Sequence, residues 1–357
     1  MDLFKESKNI RNRKERPQGE ISSKGKYNEM LDEAKKIASK LSKEKGIIGI
    51  TLCGGLSRGY ADELSEIDLN VYLEDDIYNK WIIGMGPVPH SDALWEGNYV
   101  DIEFFSYEKE IKESWGLIKK WDASYNLILF DPEQKLEILF KEKDIFSPEE
   151  KFDFAAKCFE NCMYIGDLVI QQWLKRGDPL AANQLINKAV SSLIGMVFLA
   201  NDEYPPYDKW ALNYSYSLRW LPKNWKKRIS EIILTKEISI KEAERRHKLF
   251  VNLYKDCWEK LVGKESRDLE FIDIITLKEL QFIIDNSPVP IEKFAESFNI
   301  KHLSYEPIYK LTDIIIQNGR KLIVFNKAKY IKQKDENFPD ILEWSKPLLN
   351  KLQLKLK

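Results

Sequence analysis

Apolar residues change their spacing several times along the chain, and each change marks a predicted element. Tyr27, Met30, Leu31, Ala34, Ile37, Ala38 and Leu41 recur three and four apart with lysines and acids between them. That spacing predicts an amphipathic helix, ended at Gly46. The β-branched run at 47–53 reads as a buried strand, and Gly54-Gly55 follows it as a turn. In 67–73 and again in 99–105, apolar and polar residues alternate, predicting two more strands. Asp68 and Asn70 share a face of the first, Asp101 and Glu103 a face of the second. The stretches 127–130 and 136–140 read as edge strands or a hairpin about Asp131-Pro132.

From Pro148 to about Gly263 the period is helical. Phe154, Cys158, Cys162, Ile165 and Val169 form one stripe, 180–199 a second long helix, and 240–261 a last one. Asn201 and Tyr204-Pro205-Pro206 interrupt the pattern before Trp210. The tryptophans of this region (Trp173, Trp210, Trp220, Trp225 and Trp258) are expected in packing rather than at a cofactor. Beyond residue 270, two short helices are predicted at 276–285 and 291–298. Then Ile314 to Phe325 carries Asn318-Gly319 between β-branched runs, a hairpin signal. These shifts set the expected boundaries: a flexible polar arm over 1–26, an α+β domain over 27–147, an α-helical bundle domain over 148–265, and a small α+β C-terminal module over 270–357.

Composition narrows the function classes. The 357 residues are 43% hydrophobic and 32% charged with a formal net charge of −1, so the chain is neither a disordered polymer nor a globally basic nucleic-acid binder. No apolar run approaches the length that spans a bilayer, and the first twenty residues hold no apolar signal core. No membrane association and a cytoplasmic location are therefore expected. Cys53, Cys158, Cys162 and Cys257 make no disulfide framework. With His90, His247 and His302 far apart, no zinc spacing appears either.

The chemistry concentrates between residues 53 and 105. A glycine turn opening a helix lets backbone N–H groups approach phosphate. Carboxylates on one face of adjacent strands bring oxygen ligands together, as magnesium requires. The chain has these parts in order: a strand, Gly54-Gly55, a helix start at Ser57, Asp68 and Asn70 on a strand, then Asp101 and Glu103 on a later one. Here the sequence resembles the nucleotidyltransferase superfamily, which includes DNA polymerase beta and the aminoglycoside and lincosamide nucleotidyltransferases. Gly54 to Asn70 looks like that family's Gly-Ser-x-x-Arg-Gly … Asp-x-Asp signature, and the 61–68 linker has the length found in its small-molecule branch. The motif resemblance covers about 46–105. It extends less specifically to 201–210, Asn-Asp-Glu-Tyr-Pro-Pro-Tyr-Asp-Lys-Trp, which looks like a motif of related bacterial and archaeal proteins.

The resemblance implies a nucleotidyltransferase: transfer of a nucleoside monophosphate from a nucleoside triphosphate such as ATP to a hydroxyl of a small-molecule acceptor, with two magnesium ions and release of pyrophosphate. It implies Asp68, Asn70 and Asp101 as metal ligands, Asp68, Asp101 and Glu103 as catalytic, and Gly54, Gly55, Ser57, Arg58 and Lys209 at the nucleotide. Two positions depart from the pattern. Gly55 stands where the family has serine, leaving Ser57 to supply a hydroxyl. Asn70 stands where it has a second carboxylate, giving a carbonyl without charge.

Other readings compete at single residues. Arg58 is either a triphosphate contact or a surface partner of Asp62, and Lys209 either reaches a cleft or lies along the surface. His90 reads as structural or solvent-exposed, and Cys53 as a small buried hydrophobe. The rival to an enzyme is a catalytically weakened nucleotide-binding or regulatory protein, acting on a partner or DNA through the C-terminal module. That module resembles a winged helix, with Arg320 and Lys321 on the wing, but Pro307 would fall inside its recognition helix. Nucleic acid is accordingly not the favoured partner.

Overall fold

A computed structural model of the chain describes residues 6–21, 25–95, 97–263, 279–280, 282–298 and 311–329. The chain is α+β. It divides into two compact units, Met1–Cys257 and Trp258–Lys357.

The first unit opens with a short strand, β1 (Ser7–Lys8), then α1 (Tyr27–Leu41), β2 (Ile47–Leu52), α2 (Gly54–Ser57), β3 (Ile67–Leu73) and α3 (Asp75–Lys80). β4 (Ser91–Trp95), β5 (Asn98–Ser106), α4 (Tyr107–Lys112), α5 (Leu117–Ala123), β6 (Leu127–Phe130), α6 (Lys135–Lys143) and β7 (Ile145–Phe146) follow. Five strands form one mixed sheet in the order β4-β5-β3-β2-β6. β3 and β5 run parallel; β2 is antiparallel to both β3 and β6, and β4 to β5. Alternation decides which face is which. Ile67, Leu69, Val71 and Leu73, with Val100, Ile102 and Phe104, are buried against Ala34, Ile37, Ala38 and Leu41 of α1. The intervening residues therefore face the other way, and they are the polar ones.

The helical part comprises α7 (Pro148–Glu160), α8 (Ile170–Lys175), α9 (Pro179–Ala200), α10 (Asp208–Ser215), α11 (Trp225–Ile233) and α12 (Ile240–Val262), with a π-helical stretch at Asn161–Val169 between α7 and α8. α7 starts at a capping box, Ser147 with Glu150, and Pro148 at its first turn. Asn201 closes α9: its amide donates to Val197 O and Trp220 O, and its carbonyl accepts from Trp220 N. The division between the two units falls within α12. Among the described residues no helix is long and apolar enough to cross a membrane.

Two expectations fail for physical reasons. Residues 136–140 are helical, not strand, within α6: Leu136, Leu139 and Phe140 are buried at helical spacing, and the Asp131 carboxylate accepts from Glu137 N. Residues 6–21 are no flexible arm but a strap built into the first unit. β1 pairs with β7, Ile10 is fully buried, and three arginines find interior acceptors. Arg11 donates to Ala123 O and Asn126 O; Arg13 pairs with Asp202 and Glu203; Arg16 pairs with Glu203 and donates to Ser124.

In the second unit the described residues include a helix at Ile291–Phe298 and a sheet of β8 (Val289–Pro290), β9 (Thr312–Gln317) and β10 (Arg320–Phe325), ordered β8-β10-β9. Asn318 and Gly319 both take positive φ at the hairpin tip, as a type I′ turn requires. Val289, Phe294, Leu311 and Ile323 are buried. The proposed recognition helix with Pro307 lies outside the described residues.

Candidate functional site

The polar face of the β3–β5 pair forms the floor of a cavity of about 800 Å³ in the first unit. Parallel register sets the floor in rows: Asp68 opposite Asp101, Asn70 opposite Glu103, Tyr72 opposite Phe105. Successive rows lie about 7 Å apart along the strands, so the floor passes from acidic to polar to aromatic. Tyr72 and Phe105 stack at 5.4 Å. Asp122, Ala123 and Asn126 form one wall; Tyr207, Lys209 and Trp210 form another.

The Gly54 turn closes on the acidic row. A Cβ at Gly54 would lie 1.5 Å from Asp68 Oδ2, and the residue has φ +61°, so glycine alone lets the turn approach the carboxylate. Gly55 has a related cause: a Cβ there would come within 2.9 Å of the Tyr60 ring, so the serine of the family pattern would require the ring to shift. The Ser57 hydroxyl donates to Gly54 O at 3.0 Å and does not line the cavity.

Burial and crowding of like charges dominate the electrostatics. Desolvation, then Glu66, Asp101 and Asp122, push Asp68 up to about 7. Burial and Asp92 raise Asp101, and burial with Asp92 and Asp101 raises Glu66. Asp92, on edge strand β4, stands opposite Asp101 in register. The two cations predicted from sequence reach the cavity. Arg58 pairs with Asp122, not with Asp62, and lies 4.3 Å over the Trp121 ring. Lys209, on the first turn of α10, lines the cavity, and burial raises both Glu66 and Asp122 with the Lys209 charge a partial offset. Asp62 instead caps its own loop at Leu64 N and Ser65.

Asn70 is held by its neighbours: its amide oxygen accepts from the Cys53 thiol at 3.4 Å. Cys53 is buried and its thiol pKa is raised by desolvation, as for a small hydrophobe. His90 belongs to the sheet packing, with Nδ1 against Ile102 O at 3.2 Å and its ring stacked 5.0 Å from Phe104. Trp210 both lines the cavity and packs on Tyr60 at 5.4 Å.

Sequence reasoning missed Asp122, Tyr207, Glu66 and Asp92. Asp122 carries no local signal, because it sits in the amphipathic helix α5 as any surface acid would. Asp92 could have been found only with the β4–β5 register known.

Among the described residues no group of three or more His, Cys, Asp or Glu side chains is positioned to hold a metal ion by itself. The residues nevertheless fit a divalent cation that shares its shell with a substrate. Magnesium is commonly held by one or two carboxylates plus substrate phosphates, and Asp68 and Asp101 are two side-by-side carboxylates whose mutual repulsion a cation relieves.

A family model described as a domain of unknown function (DUF4037) matches residues 127–211, from β6 to α10, a stretch that includes Tyr207 and Lys209. No curated protein matches the chain. Among solved structures the chain is similar to a nucleotidyltransferase-like protein from Exiguobacterium sibiricum 255-15, at 12% identity and a TM-score of 0.42, over 83% of this chain and 99% of that one.

Proposed function

We propose that the protein transfers a nucleoside monophosphate from a nucleoside triphosphate to a hydroxyl of a small-molecule acceptor in a magnesium-dependent reaction. The observation that carries this reading is the register of Asp68 against Asp101 beneath a glycine turn, in a cavity that also holds Arg58 and Lys209. Asp68 and Asp101 would hold magnesium, which supplies charge neutralisation at the reacting phosphate. Arg58 and Lys209 take the negative charge that develops on pyrophosphate as its bond to the α-phosphorus breaks. Glu103, one row along the floor and exposed to the cavity, accepts the proton of the acceptor hydroxyl as its oxygen bonds to that phosphorus.

Titration calorimetry with ATP, GTP, CTP and UTP, with and without magnesium, tests the reading. Wild type is expected to bind at least one triphosphate only with magnesium, and Asp68→Ala to lose that binding; pyrophosphate release then serves to screen acceptors. Absence of binding for all four triphosphates sinks the proposal.

A second reading rests on Asn70. Its neutral amide is engaged by Cys53, which suits a protein that binds nucleotide without turnover. Asn70→Asp separates the two. A rise in magnesium-dependent pyrophosphate release marks a weakened enzyme, and nucleotide binding with no turnover in either form marks a binding protein.

A further inference from the structure

Asp122 differs from the acids of the cavity floor because its carboxylate is paired with a cation. It accepts from Arg58 Nη2, and the Arg58 side chain is 4% exposed against 26% for Asp122. Both line the cavity, and the acid is the more exposed of the two. Arg58 rests on the Trp121 ring, and its Nε is buried without a hydrogen-bond partner. The Asp122 pair and the stacking thus fix the guanidinium. Lys209, brought from α10 in the helical part, lines the same cavity. The Arg58 cation available to an anion in this cavity thus already carries a carboxylate.

We propose that Asp122 is an internal competitor of substrate phosphate: it and a pyrophosphate or triphosphate group contend for Arg58. The inference rests on the nucleotide reading of the cavity and adds a regulatory element to it. An anion that bonds to Arg58 Nη2 must displace a carboxylate already in place. Affinity for polyphosphate is thereby held down, and release of pyrophosphate is favoured by return of the Asp122 pair.

The test is calorimetric binding of inorganic pyrophosphate to the full chain in magnesium chloride, for wild type, Asp122→Asn, Asp122→Ala and the double variant Asp122→Asn with Arg58→Gln. Circular dichroism reports the fold of each. Removing the competing charge is expected to tighten binding by about tenfold, and the gain is expected to vanish in the double variant. Unchanged or weaker binding by both folded single variants overturns the proposal, leaving Asp122 as an anchor for Arg58. Loss of the folded state in both single variants overturns it in the same way. If wild type binds pyrophosphate but the variants show no gain, only this proposal falls. If neither wild type nor any variant binds pyrophosphate or a nucleoside triphosphate, the reading of the cavity falls with it.

Discussion

Asp68 is the residue where structure and chemistry pull hardest against each other. Half-buried beside Glu66, Asp101 and Asp122, its carboxyl is raised to about 7, whereas in an unfolded chain it titrates near 3.9. Between those values the folded state binds the extra proton. Its contribution to stability is fully present below the unfolded pKa and is lost as pH rises to about 7. Asp68→Asn removes that dependence. The variant should melt several degrees above wild type at pH 8, with a flatter Tm profile between pH 4 and 7. Thermal melts across that range decide it, and an unchanged slope refutes the assignment. Magnesium should raise the wild-type Tm more at pH 8 than at pH 5, because protons and cation compete for the same oxygens. Gly54 depends on the same carboxylate. Gly54→Ala puts a Cβ onto Asp68 Oδ2 at a positive φ, and should cost well over about 1 kcal/mol in urea unfolding.

Elements were legible from sequence where period and punctuation agreed. The alternation in 67–73 placed β3 and its polar face, and Asn318-Gly319 placed the hairpin. Asp68 and Asp101 could thus be named as a pair before their register was known. The sequence could not show that 136–140 folds as helix, because a short apolar run fits both periods and packing against β2, with Leu136 beside Gly49, decides. Nor could it show the strap at 6–21. Its arginines look like a solvated arm until the carbonyls of 123–126 and the acids of 202–203 are brought beside them from more than a hundred residues away. The strap yields its own prediction. Arg16 and Glu203 are 9% and 4% exposed as side chains. Arg16→Ala leaves Glu203 with Arg13 alone and should cost about 3 kcal/mol. Adding Glu203→Gln should restore part of that loss in denaturant unfolding, a coupling that a merely superficial pair would not show.

At the scale of the whole molecule, every described residue that lines the cavity lies between Ile21 and Trp210, inside the first compact unit, which ends at Cys257. The chemistry proposed for the cavity is therefore assigned to described residues of the first unit alone. The second unit has a core of its own at Val289, Phe294, Leu311 and Ile323, and it carries the features that raised the question of DNA: a type I′ hairpin with Arg320 and Lys321 exposed beside it. If the two units divide the work in this way, a chain ending at Gly263, after the last turn of α12, should unfold cooperatively and keep magnesium-dependent nucleotide binding within about threefold of the intact protein, a change of less than about 0.7 kcal/mol. Calorimetry on both chains measures this. Any affinity of the intact protein for duplex DNA should disappear in the shortened chain, and in the intact chain should weaken with salt and with Arg320→Gln and Lys321→Gln together. Nucleotide binding lost on shortening, in a chain that still melts cooperatively, would mean that the second unit contributes to the cavity's function. The register of Asp68 against Asp101 would then be only part of the site.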